Sequence, residues 1–235
     1  MANKKRLGII GGLGPMATVH LFERIINFTH ARKDQEHIDI AILNYPSIPD
    51  RTEYLLGLSK ENPLPKIIEM AKKLEMLEMD FLAMPCITAH YFYSQIKKEI
   101  KIPLLDMIVE TANDLNKNKY KKVAIMATTG TIKTNLFQTA LENFNILPII
   151  PNDEIQEKIM QIIYKNLKEN LPADMDMFYD IQNYFIKEGA EQIILGCTEL
   201  SIIKRDEEIN KNLYTDAIDI LAKTAIRKCG YKVLE

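Results

Sequence analysis

The sequence has no excess of charge of either sign. Its 235 residues carry 30 Lys+Arg against 32 Asp+Glu, a formal net charge of −2. Nucleic acid as the main partner is excluded, because phosphate binding normally needs a surplus of basic residues on one face. Cysteine is scarce: only Cys86, Cys197 and Cys229. An odd, small number in a chain of this size is not a disulfide framework. No Cys-x-x-Cys pair and no nearby pair of histidines occurs, so no metal is expected. Long apolar runs are missing as well. The stretch after the basic start is Leu7-Gly8-Ile9-Ile10 and then runs into glycines. That is too short for a signal peptide or a membrane span. Together these absences predict a cytoplasmic protein with reduced thiols and no membrane partner.

What is present is core-forming material. The hydrophobic set makes up 47% of the chain and charged residues 26%. This excludes a disordered, collagen-like or coiled-coil chain. The length suffices for one large or two modest domains.

Strand and helix signals alternate along the chain. A buried strand at Leu7–Ile10 precedes Gly11-Gly12-Leu13-Gly14-Pro15, and Pro15 suits the first turn of a helix over Met16–Ala31. Val19, Phe22, Ile25, Ile26 and Phe28 are expected on its inner face. A strand at Ile38–Leu43 leads into a proline-interrupted loop, Asn44–Thr52. A helix over Leu64–Glu78, a strand at Phe81–Met84, a helix from about Thr88, a short strand at Pro103–Leu105 and a helix at Met107–Asn116 follow. Next come a strand at Val123–Ala127, a helix at Thr131–Glu142 and a strand at Leu147–Ile150. Helices at Asp153–Asn170 and Asp174–Glu188, a strand at Gln192–Leu195 and a tail helix at Ala217–Lys228 complete the chain. This alternation predicts an α/β fold with mainly parallel sheets flanked by helices.

The chain also repeats itself. Residues 5–18 align with residues 121–134 at an offset of 116, with Gly14 over Gly130 and Thr18 over Thr134. Phe81-Leu82-Ala83-Met84-Pro85-Cys86 aligns with Gln192-Ile193-Ile194-Leu195-Gly196-Cys197 at an offset of 111. Two correspondences in the same order at nearly equal offset indicate duplication. The predicted domains are 1–100 with 210–235, and 101–209.

Each half thus has a small-residue loop after its first strand and a cysteine past a later one. In open α/β sheets, ligands bind beyond the carboxyl ends of strands. A following helix N-terminus favours a thiolate, so Cys86 and Cys197 are expected to have lowered pKa values. Two thiols on opposite faces of one carbon could remove a proton and return another, giving the mirror image without a cofactor. Cys229 lies in the tail helix and reads as a packing residue. A dinucleotide-binding reading of Gly12-Leu13-Gly14-Pro15-Met16-Ala17 is disfavoured. Pro15 removes an N–H from the turn, and the second strand ends in Asn44 where an acidic residue would hold the ribose.

These residues resemble a family. Met84-Pro85-Cys86-Ile87-Thr88-Ala89-His90 and Gly196-Cys197-Thr198-Glu199-Leu200 are similar to the two cysteine motifs of the aspartate/glutamate racemases. Ile9–Thr18, Pro49-Asp50-Arg51-Thr52 and Ala127-Thr128-Thr129-Gly130-Thr131 resemble the aspartate racemase branch. The resemblance spans essentially the whole chain. It implies two pseudo-symmetric α/β domains with the active site in the cleft between them, cofactor-independent racemisation of a small acidic amino acid, and a homodimer. Cys86 and Cys197 are then the acid/base pair. Arg51 is implied as a carboxylate ligand, and Lys168 likewise through Tyr164-Lys165-Asn166-Leu167-Lys168. Gly12, Thr88, Thr128, Thr129 and Thr198 are further candidates for holding the substrate, and Glu199 for tuning Cys197. His90 is expected to be a structural helix residue. One departure stands out: the family's first motif reads Cys-Asn-Thr, and here Ile87 replaces the asparagine. Two alternatives remain open, another cysteine-dependent isomerase or decarboxylase of the superfamily and a non-catalytic protein that binds a small acid.

Overall fold

The computed structural model describes residues 4–169 and 171–234. It divides into two compact units, Met1–Glu110 with Ile218–Glu235, and Thr111–Ala217. The elements in chain order are β1 (Leu7–Gly11), α1 (Pro15–Phe28), β2 (Ile40–Asn44), α2 (Arg51–Leu55), α3 (Leu64–Met76), β3 (Phe81–Ala83) and α4 (Tyr93–Glu99). They continue with α5 (Met107–Lys117), β4 (Lys122–Ala127), α6 (Thr129–Lys133), α7 (Leu136–Glu142), β5 (Leu147–Ile149), α8 (Asp153–Gln161) and α9 (Met175–Lys187). Last come β6 (Gln192–Gly196), α10 (Leu200–Asp206), β7 (Tyr214–Asp216) and α11 (Ala217–Lys228). Among the described residues no helix is long and apolar enough to cross a membrane.

Both sheets are parallel. The first has the order β2-β1-β3 and the second β5-β4-β6-β7. The sequence repeat is carried through to strand register. Leu7 pairs with Phe81 in the first sheet, and Val123 pairs with Gln192 in the second. These are the positions that the offsets of 116 and 111 make equivalent. The fourth strand repeats too. Leu82 bridges Leu104, as its equivalent Ile193 pairs with Tyr214. In the first unit this is a single bridge and not the expected strand over Pro103–Leu105.

Each sheet is buried by helices on its faces. In the first unit, Ile10, Leu82 and Met84 pack with Ile67, Met70, Ala71 and Leu74 of α3. In the second, Ala124, Met126, Ile193 and Leu195 pack with Ile155, Ile159, Phe178, Ile181 and Phe185.

Several local expectations are corrected. α1 buries Ala17, Thr18, His20, Leu21 and Ile25. Of the residues expected inward only Ile25 is buried; Val19 is 56% exposed, Phe22 and Ile26 are exposed and Phe28 is half-buried. Apolar residues lie on both sides of this helix, so periodicity cannot choose between them. Small Ala17 and Thr18 let the other face approach the sheet. On α3 the sequence pattern puts Ile67, Ile68, Ala71, Leu74 and Leu77 in one apolar stripe; Leu77 is instead exposed at the helix cap, and Met70 takes an inner position. The loop after β2 contains α2, started by the Asp50 carboxylate accepting the Glu53 N–H at 3.0 Å. The helix expected over Thr131–Glu142 is two helices, broken where Asn135 adopts φ 54°. The helix expected over Asp153–Asn170 becomes a π-turn at Ile162–Asn166 and a 3-10 turn at Leu167–Glu169, and Asn170 lies outside the described residues. The helix expected to follow Cys197 is α10, whereas β7 falls where no strand is expected.

Candidate active site

In the first unit, three strands end beside one another at Gly11, Asn44 and Ala83. The glycine loop after β1 is organised by the chain itself. Gly12 sits at φ 86°, and a Cβ there would lie 2.4 Å from the Tyr45 backbone. The Gly12 N–H donates to Thr18 Oγ1 at 2.9 Å, and Tyr45 N–H donates to Gly11 O at 3.3 Å. Gly12 is therefore required by its neighbour strand, and its N–H is engaged by Thr18. The repeat keeps the threonine's bond: Thr18 and Thr134 hydroxyls donate to Gly14 O and Gly130 O, at 3.4 and 2.7 Å.

Arg51 opens α2 and is buried, at 8% exposure. It is no solvated loop arginine. Its Nη1 donates to Pro49 O at 2.9 Å and Ile48 O at 3.3 Å, which fixes the plane of the guanidinium. α2 packs on the Thr88–Phe92 turn, where the rings of Tyr54 and Phe92 lie 6.0 Å apart.

Cys86 follows β3 and is buried, at 7% exposure. Its N–H donates to Met84 O at 2.8 Å, a tight reversal that turns the chain into the 3-10 segment Thr88–Phe92. Ile87 and Thr88 are buried beside it. His90 is also buried and its Nδ1 lies 2.9 Å from Cys86 O.

In the second unit, β4 ends at Ala127. Thr128 caps α6, its hydroxyl accepting the Thr131 N–H at 3.3 Å and lying 3.1 Å from Thr131 Oγ1. The Thr129 N–H donates to Met160 Sδ at 3.3 Å. Gln156 was not a sequence candidate. Its Nε2 donates to Ala127 O at 3.0 Å and to Thr129 Oγ1 at 3.2 Å, and its buried Oε1 has no hydrogen-bond partner among the described residues. A lone glutamine in an amphipathic helix carries no signal of this role.

Cys197 follows β6 and is likewise buried. Its Sγ donates to Glu199 Oε2 at 2.9 Å, and the Thr198 hydroxyl donates to the same oxygen at 3.2 Å. Glu199 and Thr198 are buried as well. Burial pushes the Cys197 thiol well above its ordinary range, the Glu199 charge adds to this, and the Lys168 charge opposes it. The expectation of a lowered pKa is thus overturned at Cys197. Desolvation and a neighbouring carboxylate outweigh a helix of only seven residues. Lys168 reaches this neighbourhood from the 3-10 turn after the π-turn, with its Nζ 3.7 Å above the Tyr164 ring.

Cys229 packs at the end of α11, fully buried. Among the described residues, no group of three or more His, Cys, Asp or Glu side chains is placed to hold a metal ion.

The profile of the family described as Asp/Glu/Hydantoin racemase matches residues 10–225. The broad specificity amino-acid racemase RacX of Bacillus subtilis (strain 168) is 27% identical over 203 residues, covering 84% of this chain and 86% of that one. The aspartate racemase of Picrophilus torridus superposes with a TM-score of 0.83 at 32% identity, over 98% of this chain and 96% of that one. An aspartate racemase homologue from Pyrococcus horikoshii OT3 shares the fold, with a TM-score of 0.76 at 23% identity over 96% and 99% of the two chains.

Proposed function

The chain belongs to the Asp/Glu/hydantoin racemase family, and from that premise we propose a cofactor-independent racemase of a small acidic amino acid, aspartate first and glutamate second. Cys86 and Cys197 are its acid/base pair. The observation that carries this reading is the repeated register. It leaves one cysteine just past the third strand of each sheet, at equivalent positions.

The chemistry balances without an external redox partner. One thiolate takes the Cα proton, so a C–H bond breaks and an S–H bond forms. The other thiol gives its proton to the opposite face of the carbanion and becomes the thiolate that the reverse reaction needs. Cys197 is suited to start as the donor. Its raised pKa keeps the proton on sulfur at neutral pH, and Glu199 accepts the S–H bond that orients it. Arg51 and Lys168 supply the two cations that a dicarboxylic substrate requires, and neutralising its carboxylates eases carbanion formation. Thr88 and Thr198 adjoin the two thiols, while Gly12, Thr128 and Thr129 shape the loops after β1 and β4. The balanced net charge agrees with a few local cations as the means of recognition.

Ile87 favours a second reading. A buried isoleucine stands where the family's asparagine offers hydrogen bonds, so a related cysteine-dependent isomerase or decarboxylase of another acid competes with aspartate racemisation.

The test is incubation of the purified protein with each enantiomer of aspartate and glutamate in D₂O without added pyridoxal phosphate. Racemisation with deuterium incorporation at Cα is expected for aspartate. Retention of both optical activity and the Cα proton in all four would overturn the substrate assignment. Exchange surviving Cys86→Ala combined with Cys197→Ala would overturn the mechanism.

A further inference from the structure

We propose that His90 is a positioning residue for Cys86: a neutral imidazole, protonated on Nδ1, that holds the Cys86 carbonyl and ties it to the first turn of α5. This rests on the reading of Cys86 as an acid/base group.

The hydrogen-bond partners define the tautomer. Nδ1 lies 2.9 Å from Cys86 O, and a carbonyl only accepts, so Nδ1 bears the proton. The Met107 N–H donates to Nε2 at 3.2 Å, so Nε2 is the acceptor. One ring thereby satisfies the carbonyl beside the thiol and a first-turn N–H of α5. Holding that carbonyl fixes ψ of Cys86, and with it the direction of its side chain relative to the turn that follows.

The repeat shows why a side chain is needed here. At the equivalent position, Cys197 O accepts the Leu200 backbone N–H at 3.0 Å. The second unit meets the requirement with its own chain, while in the first unit His90 Nδ1 meets it.

The surroundings keep the ring neutral and immobile. His90 is 3% exposed and its ring stacks on Tyr93, with centroids 6.2 Å apart and planes within 7°. The Asp106 carboxylate, which accepts the Ile108 and Val109 N–H groups at 3.1 Å, favours protonation of the ring, as do the carbonyls of Cys86 and Leu105. Burial outweighs them and lowers its pKa. The Tyr93 hydroxyl donates to Leu104 O at 3.1 Å, and Tyr93 itself feels the charges of Asp106 and Glu110.

Two substitutions separate the two bonds. In His90→Asn, the amide nitrogen replaces the Nδ1 donor; in His90→Gln, the amide oxygen replaces the Nε2 acceptor. His90→Asn should keep kcat within about tenfold of the parent, while His90→Gln should lose about a hundredfold with KM little changed, because it leaves the Cys86 carbonyl unsatisfied. Alkylation by iodoacetamide, followed peptide by peptide, should change at Cys86 in His90→Gln and stay constant at Cys197. Imidazole nitrogen NMR of the unmodified chain should show His90 protonated on Nδ1 alone through the ordinary histidine titration range. Equal losses in both variants with unchanged Cys86 alkylation would make His90 a packing residue only, and an Nε2-protonated ring would overturn the proposal outright. Should the unmodified protein racemise none of the acids tested, the functional reading fails, while alkylation and NMR still decide the role of His90. If both variants fail to fold, the NMR assignment alone decides it.

Discussion

The Cys197 thiol donates to Glu199 Oε2 across 2.9 Å with both side chains buried. The bond needs a proton on sulfur, and the thiol is held above its ordinary pKa by burial first and by the Glu199 charge second. Glu199→Gln keeps the shape, removes the charge and offers an N–H to a thiolate. The sign follows: the Cys197 thiolate should form at lower pH, by about one unit or more. Rate profiles of iodoacetamide alkylation at Cys197 against pH measure this directly. Racemisation should slow by about a hundredfold, because the shifted Cys197 thiol no longer matches its proton-transfer role. A midpoint that stays fixed or rises would show that the carboxylate does not control the thiol.

Lys168 acts on the same thiol with opposite sign. Lys168→Met removes the charge, keeps much of the stem over Tyr164, and should raise the pH at which Cys197 is alkylated. If the ammonium also holds a substrate carboxylate, KM for aspartate should rise about ten- to a hundredfold, the worth of a charge-assisted hydrogen bond. A higher titration midpoint with unchanged KM would confine Lys168 to tuning Cys197.

The parts of this arrangement legible in sequence are those set by short apolar runs and small-residue loops. β1, β3, β4 and β6 are short apolar runs, and the repeat makes Leu7 equivalent to Val123 and Phe81 to Gln192, the residues that the structure pairs in each sheet. The inner face of α1 was not legible, because apolar side chains surround it. Tyr214–Asp216 is too short to show a period, yet β7 places Asp216, whose carboxylate accepts the Ser201 hydroxyl at 2.8 Å and anchors α10. The π-turn at Ile162–Asn166 depends on tertiary packing and changes the helical phase before Lys168. The raised pKa of Cys197 depends on desolvation, which sequence order does not report. α2, by contrast, had a readable signal in Asp50 and Glu53, an acidic cap with glutamate three residues on.

Two glycines at positive φ make a matched pair. Gly12 has φ 86°, and a methyl group added there would meet the Tyr45 backbone at 2.4 Å, whereas Gly57 has φ 73° and a methyl group added there would meet nothing within 4 Å. Gly57→Ala should cost only the left-handed backbone penalty, about 1–2 kcal/mol. Gly12→Ala adds a clash with backbone that cannot move without parting β1 from β2. It should cost more than about 3 kcal/mol and abolish racemisation. Urea unfolding of the two variants gives the comparison, and equal destabilisation would show that the loop after β1 relaxes freely.

Cys229 lets alkaline stability be assigned to one thiol. Its pKa is pushed up to about 12 from 9.0, by burial first and by the Asp80 charge second, with Lys5 opposing. The unfolded chain releases this proton near the ordinary value. Between those two values the native state binds more protons than the unfolded state, so stability falls as pH rises. The contribution is complete below about pH 9 and shrinks toward 12, at no more than about 1.4 kcal/mol per pH unit. Cys197 contributes with the same sign and is present in both proteins to be compared. Cys229→Ala leaves a small cavity whose cost, about 1 kcal/mol, does not depend on pH. At neutral pH the variant should therefore be the less stable protein. As the pH climbs past about 9 the gap should close and then reverse, because only the parent has the thiol to lose. Urea unfolding under reducing conditions at a series of pH values tests this, and a gap that stays constant across the series would mean that Cys229 titrates alike in both states.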